Sequence, residues 1–411
     1  MTFLLTRRTS AWVFSLAACL SPRLVLAQSA KPSIQSAIVS ADSIVQASMA
    51  SGSFPGAEMV IAVNGKVLQN RAFGYAQLND FDGHRLASPR PMRTSTMFDL
   101  ASVTKVMATT FAMMMLVDQG KLNVDAPVYT YLPDFRGPHL DSITVRHLLT
   151  HTAGLVQWQP LYYHASNKAE TYRVIREMPL QWGVGEGYHY SDLGFMLNGF
   201  IVEHITGQSL EAFLEKNLYH PLGLTHTVFN PRQHGFTEFA VTESGNAYEH
   251  HMVYGPNFGY GYKGDPKSWN GWRTHVDDGE TNDGNSWYAN GGMAGHAGLF
   301  STGADLRVLL DLLNNRGTYG GKRYISAAVI DRFLAPNAHL AWMQPRDLPP
   351  TSFSHTGFTG TYVLGVPDVH LSLVLLTNKQ NMGTNAQGNF SNLAPMQAAI
   401  AKVLMAALAP K

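Results

Sequence analysis

Residues 98–120 have the sequence FDLASVTKVMATTFAMMMLVDQG, and this stretch decides the fold and the chemistry of the chain. Its Ser-x-x-Lys tetrapeptide places the Ser102 hydroxyl and the Lys105 amine one helical turn apart, on one face of a helix. That arrangement suits a serine nucleophile with a lysine beside it as proton acceptor. Burying a lysine cation near the start of an apolar helix is costly, so Lys105 needs either a partner or a lowered pKa. The apolar run from Val106 to Val117 predicts a buried helix that ends at Gly120.

Two later triplets strengthen the tetrapeptide, because about one Ser-x-x-Lys is expected by chance in a chain of this length. Tyr190-Ser191-Asp192 precedes a predicted helix from Leu193 to Ile205, which would hold Tyr190 rigidly. The competing triplet Tyr288-Ala289-Asn290 lies in a loop-rich region and is the weaker candidate. His355-Thr356-Gly357 lies in a strand-like stretch, where the glycine would let a substrate backbone approach the strand edge closely. Together the three motifs predict an acyl-transfer site.

Strand patterns occur at the two ends of the chain and helical patterns in between. A helix over residues 34–49 precedes strands over 58–63 and 67–75, joined by an Asn64-Gly65 hairpin turn. Further strands over 353–356, 361–366 and 371–378 precede a last helix over 392–408. Residues 103–225 are mostly helical in pattern, and residues 230–290 are predicted to be a long, ordered, loop-rich insertion that forms a wall of the site.

This order predicts an α/β (α+β) fold with a single catalytic domain over residues 28–411. An α/β lobe is expected from residues 28–101 and 295–411, and a helical and loop-rich lobe from residues 102–294 is expected to be inserted into it.

The N-terminus has the pattern of an export signal over residues 1–27. Arg7-Arg8 precede a short apolar run, and Val25-Leu26-Ala27 offers a small-residue cleavage site. The alternative is a lipoprotein signal, in which Cys19 would carry a membrane anchor. Ordinary cleavage is favoured, because the apolar run continues past Cys19. Cys19 is the only cysteine, so the mature domain has no intrachain disulfide.

Composition excludes several functional classes. The formal net charge is +1 and no Lys/Arg block occurs, which argues against a nucleic-acid partner. No His-Glu-x-x-His motif or cysteine cluster occurs, so we expect no metal and no cofactor. The Gly292–Gly298 cluster lacks the Gly-Lys-Ser/Thr of a phosphate loop, and His147 and His151 are interpreted as scaffold.

The motifs resemble those of the serine β-lactamase and penicillin-binding DD-peptidase superfamily, in its class C-like branch that includes related esterases. Two further stretches, ITVRHLLTHTAGL (residues 143–155) and GMAGHAGLFS (residues 292–301), are similar to scaffold signatures of that branch. The resemblance covers roughly residues 35 to 405 in the order of the family. It implies an antiparallel sheet flanked by helices, with an inserted all-helical lobe.

The resemblance also implies roles for the motif residues. Ser102 would be the acylated nucleophile, and Lys105 and Tyr190 would share the general-base and general-acid work, with the pKa of the tyrosine lowered by neighbouring cations. The backbone N–H groups of Ser102 and Phe358 would form the oxyanion hole. His355 and Thr356, followed by Gly357, would bind a substrate carboxylate or relay protons.

Asp192 departs from the family pattern, which usually has asparagine at this position. An ionised aspartate only accepts hydrogen bonds, so Asp192 would hold Lys105 more firmly as a cation and could not donate to a substrate amide.

The function implied is that of an exported, periplasmic or secreted serine hydrolase that works through an acyl-enzyme. D-alanyl peptides of the cell wall are the preferred substrate (DD-carboxypeptidase or penicillin-binding type), because His355 resembles DD-peptidases and esterases whereas class C β-lactamases usually have lysine there. Hydrolysis of β-lactams or of small esters is an alternative function. A further alternative, which is not an enzyme function, is a binding protein that captures β-lactams or wall fragments without turnover.

Overall fold

The computed structural model describes residues 31–255, 263–336 and 339–409. The predicted signal peptide and Cys19 lie outside the described residues. The strands in chain order are β1 (Gly56–Val63), β2 (Lys66–Asn79), β3 (Arg85–Pro91), β4 (Phe98–Asp99), β5 (Val228–Phe229), β6 (Leu299–Ser301), β7 (Thr318–Tyr319), β8 (Lys322–Arg323), β9 (Phe353–Thr356), β10 (Tyr362–Val366) and β11 (Leu371–Thr377). The helices are α1 (Ile34–Ala50), α2 (Phe111–Asp118), α3 (Val145–Leu149), α4 (Lys168–Glu177), α5 (Asp192–Thr206), α6 (Leu210–Leu214), α7 (His220–Leu222), α8 (Ala247–Tyr254), α9 (Gly284–Asn290), α10 (Gly303–Asn314), α11 (Ala327–Phe333) and α12 (Ala394–Leu408).

As predicted, strands from both ends of the chain form one antiparallel sheet. Its order is β3-β2-β1-β11-β10-β9, and the edge strand β3 was not predicted. The turn between β1 and β2 has φ of 52° at Asn64 and 73° at Gly65, which is the left-handed conformation that a two-residue hairpin turn requires. β9 lies at the edge of the sheet, and Met343 covers its first half through paired hydrogen bonds with Ser354. Thr356 is therefore at the open end of an edge strand.

Helices cover both faces of this sheet. Leu373 and Leu375 of β11 pack into one apolar core with α1 and α12, and Val374 and Leu376 pack into the other core on the opposite face, to which α10 belongs. Because β11 is buried on both faces, its sequence is a continuous apolar run. Each fully buried Leu or Val side chain contributes about 1.5–3 kcal/mol relative to an exposed one.

The predicted buried helix is present, but it is not a single α-helix. A 3₁₀ turn (Ala101–Val103) leads into a π-helical segment (Lys105–Thr110) and then into α2. Thr110 Oγ1 donates to the Lys105 carbonyl at 2.7 Å, which stabilises the wider turn. The stretch from Ala101 to Asp118 is long and apolar enough to cross a membrane, yet 83% of it is buried in the protein, as in the core helix of a globular fold.

The inserted region is more regular than its composition indicates. Residues 230–290 contain α8 and α9, and β5 directly precedes this range. Because β5 is a strand, the lobe over residues 102–294 is not all-helical. β5 pairs with β6, and β6 pairs with β4 directly before Ser102. Buried Arg273 organises the loops by donating to Asn246 Oδ1 and to two backbone carbonyls, each at 2.9 Å.

Candidate active site

Ser102 lies in a strained turn that a buried carboxylate holds in place. Ala101 has a φ of 45°, an unfavourable left-handed conformation for a residue with a side chain. The Ala101 N–H donates to Asp99 Oδ1 at 2.8 Å, and the Asn282 N–H donates to Asp99 Oδ2 at 2.7 Å. Burial raises the pKa of Asp99 to about 6. Asp99 thus connects the nucleophile turn to the inserted region.

Lys105 bridges the nucleophile and Asp192. Its Nζ atom donates to Ser102 Oγ at 2.9 Å, to Asp192 Oδ1 at 2.7 Å and to the His296 carbonyl at 3.2 Å. Burial disfavours the cation, but the negative charge of Asp192 and the nearby Tyr190 raise the pKa of Lys105 above its ordinary value. A buried lysine needs either a charged partner or a lowered pKa. Lys105 has the partner, which is Asp192.

Tyr190 lies beside both residues. Its side chain interacts with those of Ser102 and Lys105, and Lys105 Nζ is 5.0 Å from the centre of its ring. Burial raises the pKa of Tyr190; Lys105 acts in the opposite direction, and Asp192 adds to the rise. This direction differs from the lowered pKa that the family resemblance implied, because burial outweighs the charge of Lys105 and Asp192 adds to the rise. The competing Tyr288 donates instead to Asn246 and packs against Trp269.

Asp192 owes its position to the start of α5. It is the first residue of this helix, and the capping Ser191 side chain accepts from the Gly194 N–H. The Asp192 N–H donates to the Gln157 carbonyl at 3.0 Å. The carboxylate is therefore held against Lys105 by a capped helix rather than by a flexible loop.

Two buried histidines flank Tyr190 and are neutral. Burial and the charge of Lys105 lower the pKa of His355 to about 3, and burial lowers the pKa of His151 well below its usual value. His355 Nδ1 lies 2.8 Å from the Thr356 carbonyl, so this nitrogen carries the proton. His151, interpreted from sequence as scaffold, accepts from the Ser191 N–H and stacks on Tyr190 with ring centres 4.4 Å apart. His147 does have the expected scaffold role, in a capping box with Thr144.

Gly357 is required for a contact within the protein itself. A Cβ at this position would lie 2.0 Å from Thr361 Oγ1 and 2.4 Å from the Leu100 carbonyl oxygen. The glycine thus lets the sheet approach the nucleophile turn, whereas the sequence motif was interpreted as making room for a substrate backbone. Among the described residues, the N–H groups of Ser102 and Phe358 have no hydrogen-bond acceptor, so both are available to an oxyanion.

Two cavities meet at Ser102, Tyr190 and Phe358. The lysine cavity has a volume of about 400 Å³ and is also lined by Thr356, Gly357, Lys379, Asn392 and Gln397. The acidic cavity has a volume of about 300 Å³ and is also lined by Trp158, Asp192, Tyr248, Glu249, Met252 and Asp283. Burial and the charge of Asp283 raise the pKa of Glu249 to about 8. The predicted wall from residues 230–290 is therefore part of the acidic cavity.

A metal is not required to explain the acidic groups near Ser102. Asp192, Asp283 and His296 have ligand atoms within 4.8 Å of one another. His296 Nε2 already lies 2.8 Å from Asp283 Oδ1, and the Lys105 ammonium already pairs with Asp192. Each of these side chains thus already has a partner within the protein.

Sequence reasoning missed Asp99, Lys379, Glu249 and Asp283. Asp99 had a detectable signal, since it is an acidic residue inside an apolar stretch directly before Ser102. Lys379 directly follows the predicted strand over residues 371–378. Glu249 and Asp283 carry no signal in the sequence, because they belong to a region without periodicity.

Comparisons with known proteins agree with this geometry. The model of the family described as Beta-lactamase matches residues 41–394. The chain is 33% identical over 393 residues to the "N-acetylmuramyl-L-alanine amidase" of Bacillus subtilis (strain 168), covering 88% of this chain and 85% of the relative. It is 33% identical over 358 residues to the "Putative D-alanyl-D-alanine carboxypeptidase" of Escherichia coli (strain K12), covering 79% of each.

A solved structure has the same fold. The penicillin-binding protein homolog from Caulobacter crescentus superimposes with a TM-score of 0.69 at 20% sequence identity, covering 92% of this chain and 98% of that one. Fold, motif order and relatives agree, and the chain therefore belongs to the Beta-lactamase family, within the superfamily of serine β-lactamases and penicillin-binding proteins.

Proposed function

We propose that this protein is an exported DD-carboxypeptidase, which forms an acyl-enzyme on Ser102 and releases the terminal D-alanine of cell-wall peptides. The observation that carries the proposal is the contact of the buried Lys105 ammonium with Ser102 Oγ at 2.9 Å, beside Tyr190. Ser102 and Tyr190 line both cavities. The relative from Escherichia coli, named as a carboxypeptidase of this type, supports the choice of substrate.

In the acylation step, Ser102 Oγ forms a bond to the carbonyl carbon of the scissile peptide and passes its proton to the Tyr190–Lys105 pair. The N–H groups of Ser102 and Phe358 stabilise the negative oxygen. The C–N bond then breaks, and the departing amine takes the proton. In deacylation a water molecule attacks the ester, the same pair accepts the proton of the water, and this proton returns to Ser102 Oγ.

Asp192 changes the resting state of this pair. Burial, with a smaller contribution from Asp192, raises the pKa of Tyr190, and Asp192 raises the pKa of Lys105 against the effect of burial. The site at rest therefore holds a charged lysine and a neutral tyrosine. A base becomes available only after one proton has left the pair. Activity should therefore rise with pH on the acid side of its optimum.

The direct test is the intact mass of the purified protein during incubation with benzylpenicillin, together with an assay of D-alanine release from a wall pentapeptide. We expect a lasting adduct on the peptide that contains Ser102, and D-alanine release that Ser102→Ala abolishes. Rapid penicillin hydrolysis without an adduct would identify a β-lactamase instead. Intact penicillin combined with turnover of simple esters would identify an esterase. An adduct without turnover of any substrate would identify a binding protein.

A second candidate function is hydrolysis of the bond between N-acetylmuramic acid and L-alanine. The relative from Bacillus subtilis, named for that activity, favours it. The same acyl-enzyme chemistry would apply, but the products differ. Digestion of purified muropeptides followed by mass spectrometry separates the two, because a carboxypeptidase releases D-alanine and an amidase releases the whole stem peptide.

Export is part of the proposal and has a separate test. Fractionation of cells that express the full chain should place the protein outside the cytoplasm, with residues 1–27 removed. If Cys19→Ala moved the protein from the membrane fraction to the soluble fraction, the lipid-anchored alternative would replace ordinary cleavage.

A further inference from the structure

Lys379 is a partly buried cation without an acidic partner. It directly follows β11, and its Nζ atom lies 3.4 Å from the Ser391 carbonyl and 5.7 Å from the centre of the Phe358 ring. Within the described parts of the chain, Lys379 takes part in no ion pair, and burial alone lowers its pKa. A partly buried ammonium that is not paired costs free energy, which an incoming anion would recover.

The surroundings of Lys379 favour an anion at one particular place. Lys379 lines the same cavity as Ser102 and Thr356, and no other charged residue lines that cavity among the described residues. The first turn of α12 borders the cavity through Ala394 and Gln397. The positive end of this 15-residue helix adds to the field of Lys379.

The opposite side of the nucleophile offers no cation to an incoming anion. Asp192, Asp283 and Glu249 line the acidic cavity, and no basic residue lines it among the described residues. Of the two cavities, only the one lined by Lys379 therefore has a charge that suits a carboxylate near the scissile bond.

His355 does not supply this positive charge. It is fully buried, and it lines neither of the two cavities. Its neighbour Thr356 reaches the lysine cavity and can donate a hydroxyl hydrogen bond there. The motif that the sequence associates with carboxylate binding thus contributes a neutral donor, and the cation comes from another segment.

We infer that Lys379 is the specificity-determining residue that binds a free carboxylate on the leaving group of the substrate. The inference rests on the proposed function and narrows it, because the site then prefers acyl donors whose leaving group is an amino acid with an unblocked carboxylate. Internal peptide bonds and the amide bond between muramic acid and the stem peptide lack such a group next to the scissile bond.

The kinetic test compares diacetyl-L-lysyl-D-alanyl-D-alanine with its C-terminal carboxamide, which differs only in this charge. We expect wild type to prefer the free acid in kcat/KM. Lys379→Gln should lower kcat/KM for the acid by about 10- to 100-fold, as expected for a charge-assisted hydrogen bond, and leave the value for the carboxamide within about twofold. Lys379→Arg should restore most of the preference. Lys402→Gln, at an exposed position on α12, is the matched control and should change neither value.

A binding measurement separates failure of this inference from failure of the proposed function. Ser102→Ala cannot form an acyl-enzyme, so titration calorimetry with the same two peptides reports recognition alone. If Ser102→Ala binds the acid more tightly than the carboxamide, and Ser102→Ala/Lys379→Gln does not, carboxylate binding in the lysine cavity is supported even if wild type turns over neither peptide. The inference would be overturned if Ser102→Ala bound the acid and the carboxamide equally. It would also be overturned if Lys379→Gln lowered the affinity for both peptides by the same factor.

Discussion

In the described part of the chain, the lysine cavity on one side of Ser102 is lined by a single cation, whereas the acidic cavity on the other side is lined by three carboxyl groups, those of Asp192, Glu249 and Asp283. The walls of the lysine cavity come mainly from the C-terminal part of the chain, around β9 and the start of α12. The walls of the acidic cavity come mainly from the inserted region. The nucleophile therefore lies between a wall that carries an unpaired ammonium and a wall that carries carboxyl groups.

This difference shows how a nearly neutral chain can have a polarised active site. The net charge of +1 carries no information about the position of its charges. Because an unpaired ammonium lies on one side of Ser102 and carboxyl groups lie on the other, we expect the two ends of a substrate to be distinguished on binding. This difference between the two cavities can be tested by substitutions at the shared nucleophile, beside the proton-transfer pair and in each cavity wall.

The largest effect is expected from Ser102→Ala, which removes the group that both cavities share. Turnover should fall by at least about 10³-fold, because no other group can form the acyl bond. D-alanine release and intact mass with benzylpenicillin measure the loss. Ser43→Ala, on the exposed face of α1, is the control and should have no effect. Full turnover in Ser102→Ala would refute the assignment of the nucleophile.

Asp192→Asn should shift the pH dependence of activity. The negative charge of Asp192 raises the pKa values of Lys105 and Tyr190, so its removal lowers both, and the base form is then populated at lower pH. The acid limb of the kcat/KM profile should move down by about one pH unit or more, with about a tenfold gain in kcat/KM at a fixed pH on that limb.

The pH–rate profiles of wild type, Asp192→Asn and the exposed control Asp82→Asn measure this shift. An acid limb that stayed in place while the rate fell at every pH would mean that Asp192 positions Lys105 without tuning its proton affinity.

Gly357→Ala should weaken the connection between the lysine cavity and the nucleophile turn. The new Cβ would collide with Thr361 Oγ1 and the Leu100 carbonyl, which we expect to cost about 1–3 kcal/mol of unfolding free energy. Denaturant unfolding measures the cost, and kcat should fall as the turn moves. Gly194→Ala is a matched control, because its Cβ would lie 3.5 Å from the Leu148 carbonyl oxygen in ordinary contact. Equal stability of both variants would show that the sheet can retreat without strain.

The smallest effect is expected from Glu249→Gln in the acidic cavity. The pKa of Glu249 is raised to about 8, so this carboxyl group gains its charge as the pH rises through that value. In wild type, kcat/KM for succinyl-D-alanyl-D-alanine relative to the acetyl analogue should fall between pH 7 and 9 by about two- to fivefold. Glu249→Gln should remove this pH dependence, whereas the exposed control Glu177→Gln should retain it. A ratio that stayed constant with pH in wild type would place the acyl chain elsewhere.

Much of this molecule was predictable because its signals are local. Apolar periodicity placed α1, and the Asn64-Gly65 turn placed the first hairpin, since positive φ at both positions suits few other residue pairs. Ser102 and Lys105 are one helical turn apart in sequence, so their contact follows from helix geometry. The short strands β4 and β5 were missed, because two-residue pairings have no periodicity to detect.

The sequence by itself therefore determined the fold class, the order of the elements and the residue types of the acyl-transfer motifs. Only the tertiary structure decided which distant groups set the protonation of the site and the charge of its cavities. Asp192 reaches Lys105 across 87 residues, and Lys379 joins Ser102 in one cavity although no motif links the two. The reason is physical. Periodicity records which side of an element is buried, whereas pKa values and cavity charge depend on burial and on charges brought together by packing.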